Sequence, residues 1–481
     1  MQNRIYRLTL TILFCLQLLI GYGQANTCNC SDNLNTTIQK TEENYAGYPT
    51  KVNAKTTKEY NSLVQRLKQK AAGINEPKKC YYLIRDYIKF FNDKHFILSY
   101  RNENDYDSLV IDYADSYFQD KKNKNKLTPV EGIYTNPDST ITIGIKKTKA
   151  DIFQAFKIAS KHDNFPKGFV YFTLTPNSKK YIVKDYNSFV STDFPASQNG
   201  NLLYLWNYAI WGKISPQQMT AAEGQELSQW RNNNNGLAFR KLNADFTYLK
   251  VPTFINNDDK IQQLVAANDK LIRNTKYLVV DLRGNGGGNT GWIHFISYFM
   301  TNPIIQESTY LRLTPENIKH KLNDIAPFAT QPIPAEMQKY FPADILNAYK
   351  KAYQELPIAR ESFYPIPSVN FPLDSITRQP EKIALIVDDF CGSSAEYFFY
   401  LSKQSKKTIS YGTNTLGMMD YEGMSTPTAL PYEKFRLTIP ISKSSWTDKN
   451  PIDKTGFKPD VVINKPQNEW LDFIIKDLPQ K

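Results

Sequence analysis

Residues 277–288 read YLVVDLRGNGGG. Tyr277 to Leu282 is an apolar run of strand length, interrupted by Asp281 and closed by Arg283. Three successive glycines follow, Gly286 to Gly288, and Trp292 to Met300 then carries the apolar content of a helix. A short buried-type strand, a tight turn and a helix predict one unit of an α/β sheet. Glycines let the backbone turn sharply and expose consecutive N–H groups, so the turn suits an anion or oxyanion. Gly286, Gly288 and Gly291 also satisfy G-x-G-x-x-G, with Glu307 as the nearest ribose partner. The mid-chain position and the loose spacing to Glu307 speak against a dinucleotide. A phosphate P-loop fails because no Gly-Lys-Ser/Thr follows.

A second turn of the same kind lies about a hundred residues on. Lys382 to Val387 predicts a buried strand, and Phe390-Cys391-Gly392-Ser393-Ser394-Ala395-Glu396 leads at once into a helix over Ser394 to Ser402. A serine hydroxyl at that place lies near free N–H groups and a helix dipole that favours developing negative charge. The same residues also describe a plain capping box, Ser393 with Glu396 three residues later. A nucleophilic serine needs a base, and the histidines are His95, His162, His294 and His320. His95 stands out because Asp93-Lys94-His95-Phe96 closes a helical stretch. No histidine or carboxylate spacing supports a metal site.

Outward from these turns, Thr247 to Val251 reads as a strand and Ile261 to Ile272 as a helix, while residues 315–375 look like a helical insertion. The core is therefore assigned to 237–481. Residues 126–236 form a β-rich domain and connector. Thr140 to Ile145, Phe169 to Thr175, Tyr181 to Val183 and Leu202 to Ile210 are its strands, and Gln217 to Asn235 is the connector. Residues 26–125 form an N-terminal helical unit, with Tyr60, Leu63, Val64 and Leu67, then Tyr81, Ile84, Tyr87 and Ile88, at helical spacing.

Residues 1–25 carry Arg4 and Arg7, an apolar run from Leu8 to Ile20 and a small-residue exit at Gly21, Gly23 and Ala25. This predicts a signal peptide and an exported protein in the periplasm, outside the cell or on its outer surface. The run is too short for a spanning helix, and no later stretch is long enough. Export makes disulfides plausible, and Cys28 or Cys30 is expected to staple the N-terminus to Cys80. The chain has 481 residues, 59 Lys and Arg against 47 Asp and Glu, and 41% hydrophobic residues. That composition excludes wholesale disorder. The lysines are dispersed, only 121–126 being dense, so the net charge of +12 reads as solvated surface rather than a nucleic-acid footprint.

Taken together, the motifs resemble those of the C-terminal-processing, or tail-specific, serine peptidases, a family that includes the tricorn core and the interphotoreceptor retinoid-binding modules. VVDLRGNGGG at 279–288 and IALIVDDFCGSSAEYF at 383–398 carry the resemblance, with the Gly-x-x-Thr-x-Gly of 412–417 and the Gly-hydrophobic-x-Pro-Asp of 456–460 in the same order. The resemblance implies a ClpP/crotonase-like α/β core, a serine-type peptidase without cofactor or metal, and a peptide or unfolded protein as substrate. The Ser-Lys design of the family would place its lysine at 418, where this chain has Met418. The resemblance therefore points to the Ser-His design, with Ser393 as nucleophile, His95 as base and Asp453 as the orienting acid. Asp453 is a departure, because the family more often has Glu there. Backbone N–H groups of Ser394 and of Gly287 or Gly288 would form the oxyanion hole. Cys391 is expected to pack beneath the turn. No peptide-binding PDZ sequence is visible between His95 and the core. The rival reading is a catalytically inactive relative that binds peptides or apolar ligands.

Overall fold

The computed structural model describes residues 28–100, 109–114, 116–120, 126–148, 150–178, 180–185, 189–190, 194–423 and 428–481. The leader at 1–25 and the lysines of 121–125 lie outside the described residues. Three long helices come first, with a single turn at Tyr48–Lys51 between the first two: α1 (Cys30–Asn44), α2 (Thr57–Ala71) and α3 (Pro77–Lys89). Asn29 caps α1 by accepting the Asp32 N–H at 3.2 Å, and Pro77 opens α3, where its missing N–H costs nothing. The helical spacing of Tyr81, Ile84, Tyr87 and Ile88 becomes the buried face of α3. Tyr45, Tyr60, Tyr87 and Phe91 close this unit with edge-on and tilted ring contacts.

Cys30, at the start of α1, is bonded to Cys80 in the first turn of α3, with Cα atoms 5.2 Å apart. Of the two cysteines the sequence leaves open, Cys30 makes the bond, and Cys28, which lies ahead of the helix, is buried but free.

After α3 the chain turns through Asn92 and enters β1 (Ile97–Tyr100). β1 does not join its sequence neighbours. It pairs antiparallel with Phe435–Thr438, Ile97 opposite Thr438 and Tyr100 opposite Phe435. This ladder fastens the N-terminal unit to the last part of the chain.

Residues 132–215 form a closed eight-stranded barrel: β2 (Gly132–Thr135), β3 (Ile141–Lys147), β4 (Phe153–Ser160), β5 (Val170–Asn177), β6 (Lys180–Asp185), β7 (Phe194–Asn199), β8 (Leu202–Leu205) and β9 (Ala209–Ser215). Every neighbour pair is antiparallel, and β9 closes on β2. Alternate residues such as Ile143, Ile145, Leu174, Val183 and Leu203 fill the interior. The sequence predicts one strand over Leu202–Ile210, but there are two. Trp206 breaks the run with φ +47°, and Tyr208 N–H closes the turn on Leu205 O at 3.1 Å. The connector contains a helix, Ala221–Ser228, started by a capping box between Thr220 and Glu223.

The core is a six-stranded sheet ordered β10 (Ala238–Lys241), β11 (Phe246–Lys250), β12 (Tyr277–Asp281), β13 (Lys382–Val387), β14 (Thr408–Gly412) and β15 (Val461–Val462). β11 to β15 are parallel, and β10 is an antiparallel edge. The apolar runs of β12 and β13 are buried on both faces. Leu278, Val280, Ile383 and Leu385 meet α4 (Asp258–Ile272) through Ile261 and Val265. Val279, Ala384 and Ile386 meet the C-terminal helix through Trp470 and Ile474. Helices on both faces of a parallel sheet make this the crotonase-like α/β core.

Trp292–Met300 is not one helix. A 3-10 turn at Gly291–His294 and a single turn at Ile296–Phe299 meet at Phe295, whose φ of −128° is not helical. Trp292, Phe295 and Phe299 all pack on Phe398. The insertion holds helices Pro315–Thr330 and Ala343–Glu355, flanked by strands Thr309–Arg312 and Phe363–Ile366. Those strands share a small sheet with Tyr421–Glu422 and Ser442–Lys443.

Alkylation of the denatured, unreduced protein should modify Cys28 and Cys391 and spare Cys30 and Cys80, as read by peptide mass mapping. Cys80→Ala should cost about 4 kcal/mol in denaturant unfolding, the chain-entropy value for a loop of some 50 residues.

Candidate active site

Both glycine-bearing turns leave the same end of the sheet, after β12 and after β13, whose register sets Asp281 beside Ile386. In open α/β sheets this carboxyl end is where ligands bind. The turns are stitched together. Gly392 N–H donates to Asn285 O at 3.0 Å, and the Cys391 thiol donates to Leu282 O at 2.9 Å. Cys391 is fully buried, and burial pushes its thiol well above the ordinary range, as suits a packing role. The first turn is also braced from below. The Arg283 guanidinium forks onto Asp281, with Nη2 at 2.6 Å from Oδ2, and Nη1 donates to Gln467 O at 2.7 Å.

Ser393 begins α5 (Ser394–Ser402) with φ +52° and ψ −125°. A residue with a side chain pays about 1–3 kcal/mol for such a conformation. Glu396 holds it there. Its Oε2 accepts the Ser393 N–H at 3.2 Å and the Met418 N–H at 2.7 Å. Its Oε1 accepts the Thr415 hydroxyl and the Gly417 N–H, both at 2.6 Å. Burial pushes the Glu396 carboxyl up and these donors pull it back, with burial the larger effect. Gly287 lies against the serine. A Cβ there would come 2.7 Å from Ser393 Cβ and 2.8 Å from Ser394 N, at a φ of +93° that already favours glycine.

His95 arrives from 298 residues earlier in the chain. Its backbone N–H donates to Asp93 Oδ1 at 2.8 Å, and Asp93 Oδ2 accepts the Tyr45 hydroxyl at 2.7 Å. The ring is only 3% exposed. Nδ1 lies 2.8 Å from the carbonyl oxygen of Tyr421. A carbonyl can only accept, so Nδ1 carries the proton and Nε2 presents its lone pair. That nitrogen is 3.0 Å from Ser393 Oγ, which donates to it.

One sequence-assigned role changes, and one of two stated alternatives falls away. Asp453 does not orient His95. Its carboxylate is ion-paired with the Lys51 ammonium of the N-terminal unit, and the position it would fill is taken by the Tyr421 carbonyl. Gly287 does not offer a free donor, because its N–H donates to Asn285 Oδ1 at 2.9 Å. Among the described residues, the N–H groups of Gly288 and Ser394 have no protein acceptor, and the latter is in the first turn of α5, where such groups are left over. Ser394 is no second nucleophile. Its hydroxyl donates to Asn289 O at 2.7 Å and accepts from Trp292 Nε1 at 3.1 Å.

The sequence reading misses three contributors. The Tyr421 carbonyl is a backbone group that any residue could supply, so no sequence signal marks it. Tyr45 is far from Asp93 in the chain. Glu396 is visible as a capping residue and as part of the segment at 383–398, but its bonds to residues 415–418 depend on the fold. Among the described residues no group of three His, Cys, Asp or Glu side chains could hold a metal, and no helix is long and apolar enough to cross a membrane.

Residues 245–463 match the model of peptidase family S41. The match takes in both turns and Ser393 and leaves His95 outside. No curated protein matches the chain. Among solved structures, the chain is similar to mature CPAF at 12% identity and a TM-score of 0.50, covering 94% of this chain and 96% of that one. It is also similar to mature CPAF complexed with lactacystin, at 12% identity and a TM-score of 0.51, covering 94% and 97%. At such identity the likeness shows the fold alone.

A fluorophosphonate probe should label Ser393, and labelling should persist in Ser394→Ala and vanish in Ser393→Ala, as read by peptide mass mapping. Asp453→Asn should lower the melting temperature, through loss of the Lys51 pair, while the labelling rate stays within about threefold, since only a peripheral ion pair is removed.

Proposed function

From the match of residues 245–463 to the model of peptidase family S41, we propose that this chain is an exported serine endopeptidase that works through an acyl-enzyme on Ser393, with His95 as base. The observation that carries the reading is the 3.0 Å contact between His95 Nε2 and Ser393 Oγ, with Nδ1 bonded to Tyr421 O. Ser393 Oγ attacks the peptide carbonyl carbon and passes its proton to Nε2. The imidazolium then gives that proton to the leaving amine. Water, deprotonated by the same nitrogen, hydrolyses the acyl-enzyme and frees Ser393.

The tetrahedral oxyanion needs donors in place before the charge develops. The Gly288 and Ser394 N–H groups are suited to this role, and losing one such donor typically costs about 3 kcal/mol of transition-state stabilisation. A neutral carbonyl behind the histidine fixes the tautomer but cannot balance the imidazolium. Asp93, Glu396 and Glu422 are the carboxyls whose charge couples to His95, although burial pushes each of them up.

Two features support export. Residues 1–25 have the composition of a leader, and the Cys30–Cys80 bond suits an oxidising compartment. Protein recovered from producing cells should begin just after Gly23 or Ala25, as read by intact mass.

A quenched-peptide library should be cut by the mature protein, and His95→Ala should lower kcat by about 10²–10⁴-fold, the range for general-base catalysis. Turnover within tenfold of the parent would remove His95 from the mechanism.

A further inference from the structure

A cavity of about 650 Å³ opens between the barrel and the core. Its inner wall comes from the segments that build the reacting pair. Phe390 is three residues before Ser393. Leu416 packs near Gly392, where a Cβ would lie 3.4 Å from Leu416 Cδ2. Lys94 is the neighbour of His95. Trp206 is the barrel's contribution. Its Nε1 donates to Phe390 O at 2.8 Å, and its ring covers Gly286, where a Cβ would lie 2.4 Å away. Trp206, Phe390 and Leu416 make one side apolar. Neither Ser393 nor His95 lines the cavity, but its inner wall is built from their chain neighbours, and its far side is a domain outside the matched peptidase segment.

The charges in this cavity do not cancel. Lys180 reaches across from the barrel, ion-paired to Asp389 and 4.0 Å above the Phe390 ring. Among the described residues Lys94 has no such partner, and its half-buried ammonium donates to two backbone carbonyls, Gly417 O at 3.2 Å and Leu416 O at 3.5 Å. No carboxylate lies within ion-pair reach of it among the described residues. An ammonium withdrawn from water beside an apolar wall gains most from an incoming anion.

We propose that this cavity is a substrate subsite that takes a large apolar side chain against Trp206 and Phe390 and a neighbouring carboxylate on Lys94. This rests on the peptidase reading, because the cavity acquires a substrate only if the adjoining Ser393 acts on peptides. The carboxylate is either an acidic side chain or the α-carboxylate of a chain end.

Three quenched peptide pools test it, each with leucine fixed and random flanking positions. One has glutamate beside the leucine and an amidated end. One has glutamine there and an amidated end. One has glutamine and a free α-carboxylate. The parent protein should favour a carboxylate-bearing pool over the amidated glutamine pool by about tenfold in kcat/KM, chiefly through KM, as one charge-assisted hydrogen bond would give. Which pool is favoured identifies the source of the carboxylate. Lys94→Met should bring that ratio to within about twofold of one. A ratio near one in the parent overturns the proposal. So does an unchanged ratio in Lys94→Met, which would leave Lys94 a mere support of the 416–417 loop. If no pool is cut, the peptidase reading fails separately, and fluorescence anisotropy of labelled pools on Ser393→Ala still reads the subsite. Tighter binding of a carboxylate-bearing pool upholds it, and equal binding overturns it.

Discussion

A buried carboxylate must be satisfied from within, and Glu396 is satisfied by four donors from two separate segments. That constraint organises the reactive end of the sheet. One oxygen holds the Ser393 N–H and so keeps the serine in its strained turn. The other groups it binds come from residues 415–418, the loop that carries Lys94's acceptors and packs on Gly392. Glutamine could not replace it without aiming an amide donor at an N–H. The residue that looks like a helix cap in the sequence thus fixes two loops against each other.

The barrel and the core are joined by a small but specific contact. Trp206 sits in a positive-φ turn between two barrel strands and inserts between the two glycine-bearing turns. Gly286 leaves the room for its ring. Binding and chemistry are thereby divided. The parallel sheet supplies rigid strand ends for the reacting atoms, while the barrel supplies one wall of a cavity whose lining can vary without disturbing those ends.

The core was legible in the sequence because β12 and β13 are buried on both faces and therefore read as continuous apolar runs. Lys382–Val387 and Ser394–Ser402 appear with the predicted bounds. Ser393 and His95 were legible as positions, through motif order. Their relation was not, since it depends on β1 pairing with Phe435–Thr438 rather than with a neighbour. Asp453 was misassigned because sequence shows a carboxylate at the right spacing but not the Lys51 that claims it. The choice between Gly287 and Gly288 was not legible, because a glycine's N–H is always present in sequence, whether or not Asn285 has taken it. The closure of the barrel was invisible for a similar reason. Alternation marks strands but not which strand meets the first one again.

The pairing of β1 also bears on timing. Nothing local links His95 to Ser393, and 298 residues separate them. His95 is seated through a strand, Phe435–Thr438, that follows Ser393 in the chain. Contacts of such sequence separation form late, after much of the chain entropy has been lost. A chain that ends before residue 435 therefore carries the histidine and the serine without the ladder that holds β1, and so without the placement of His95 beside Ser393.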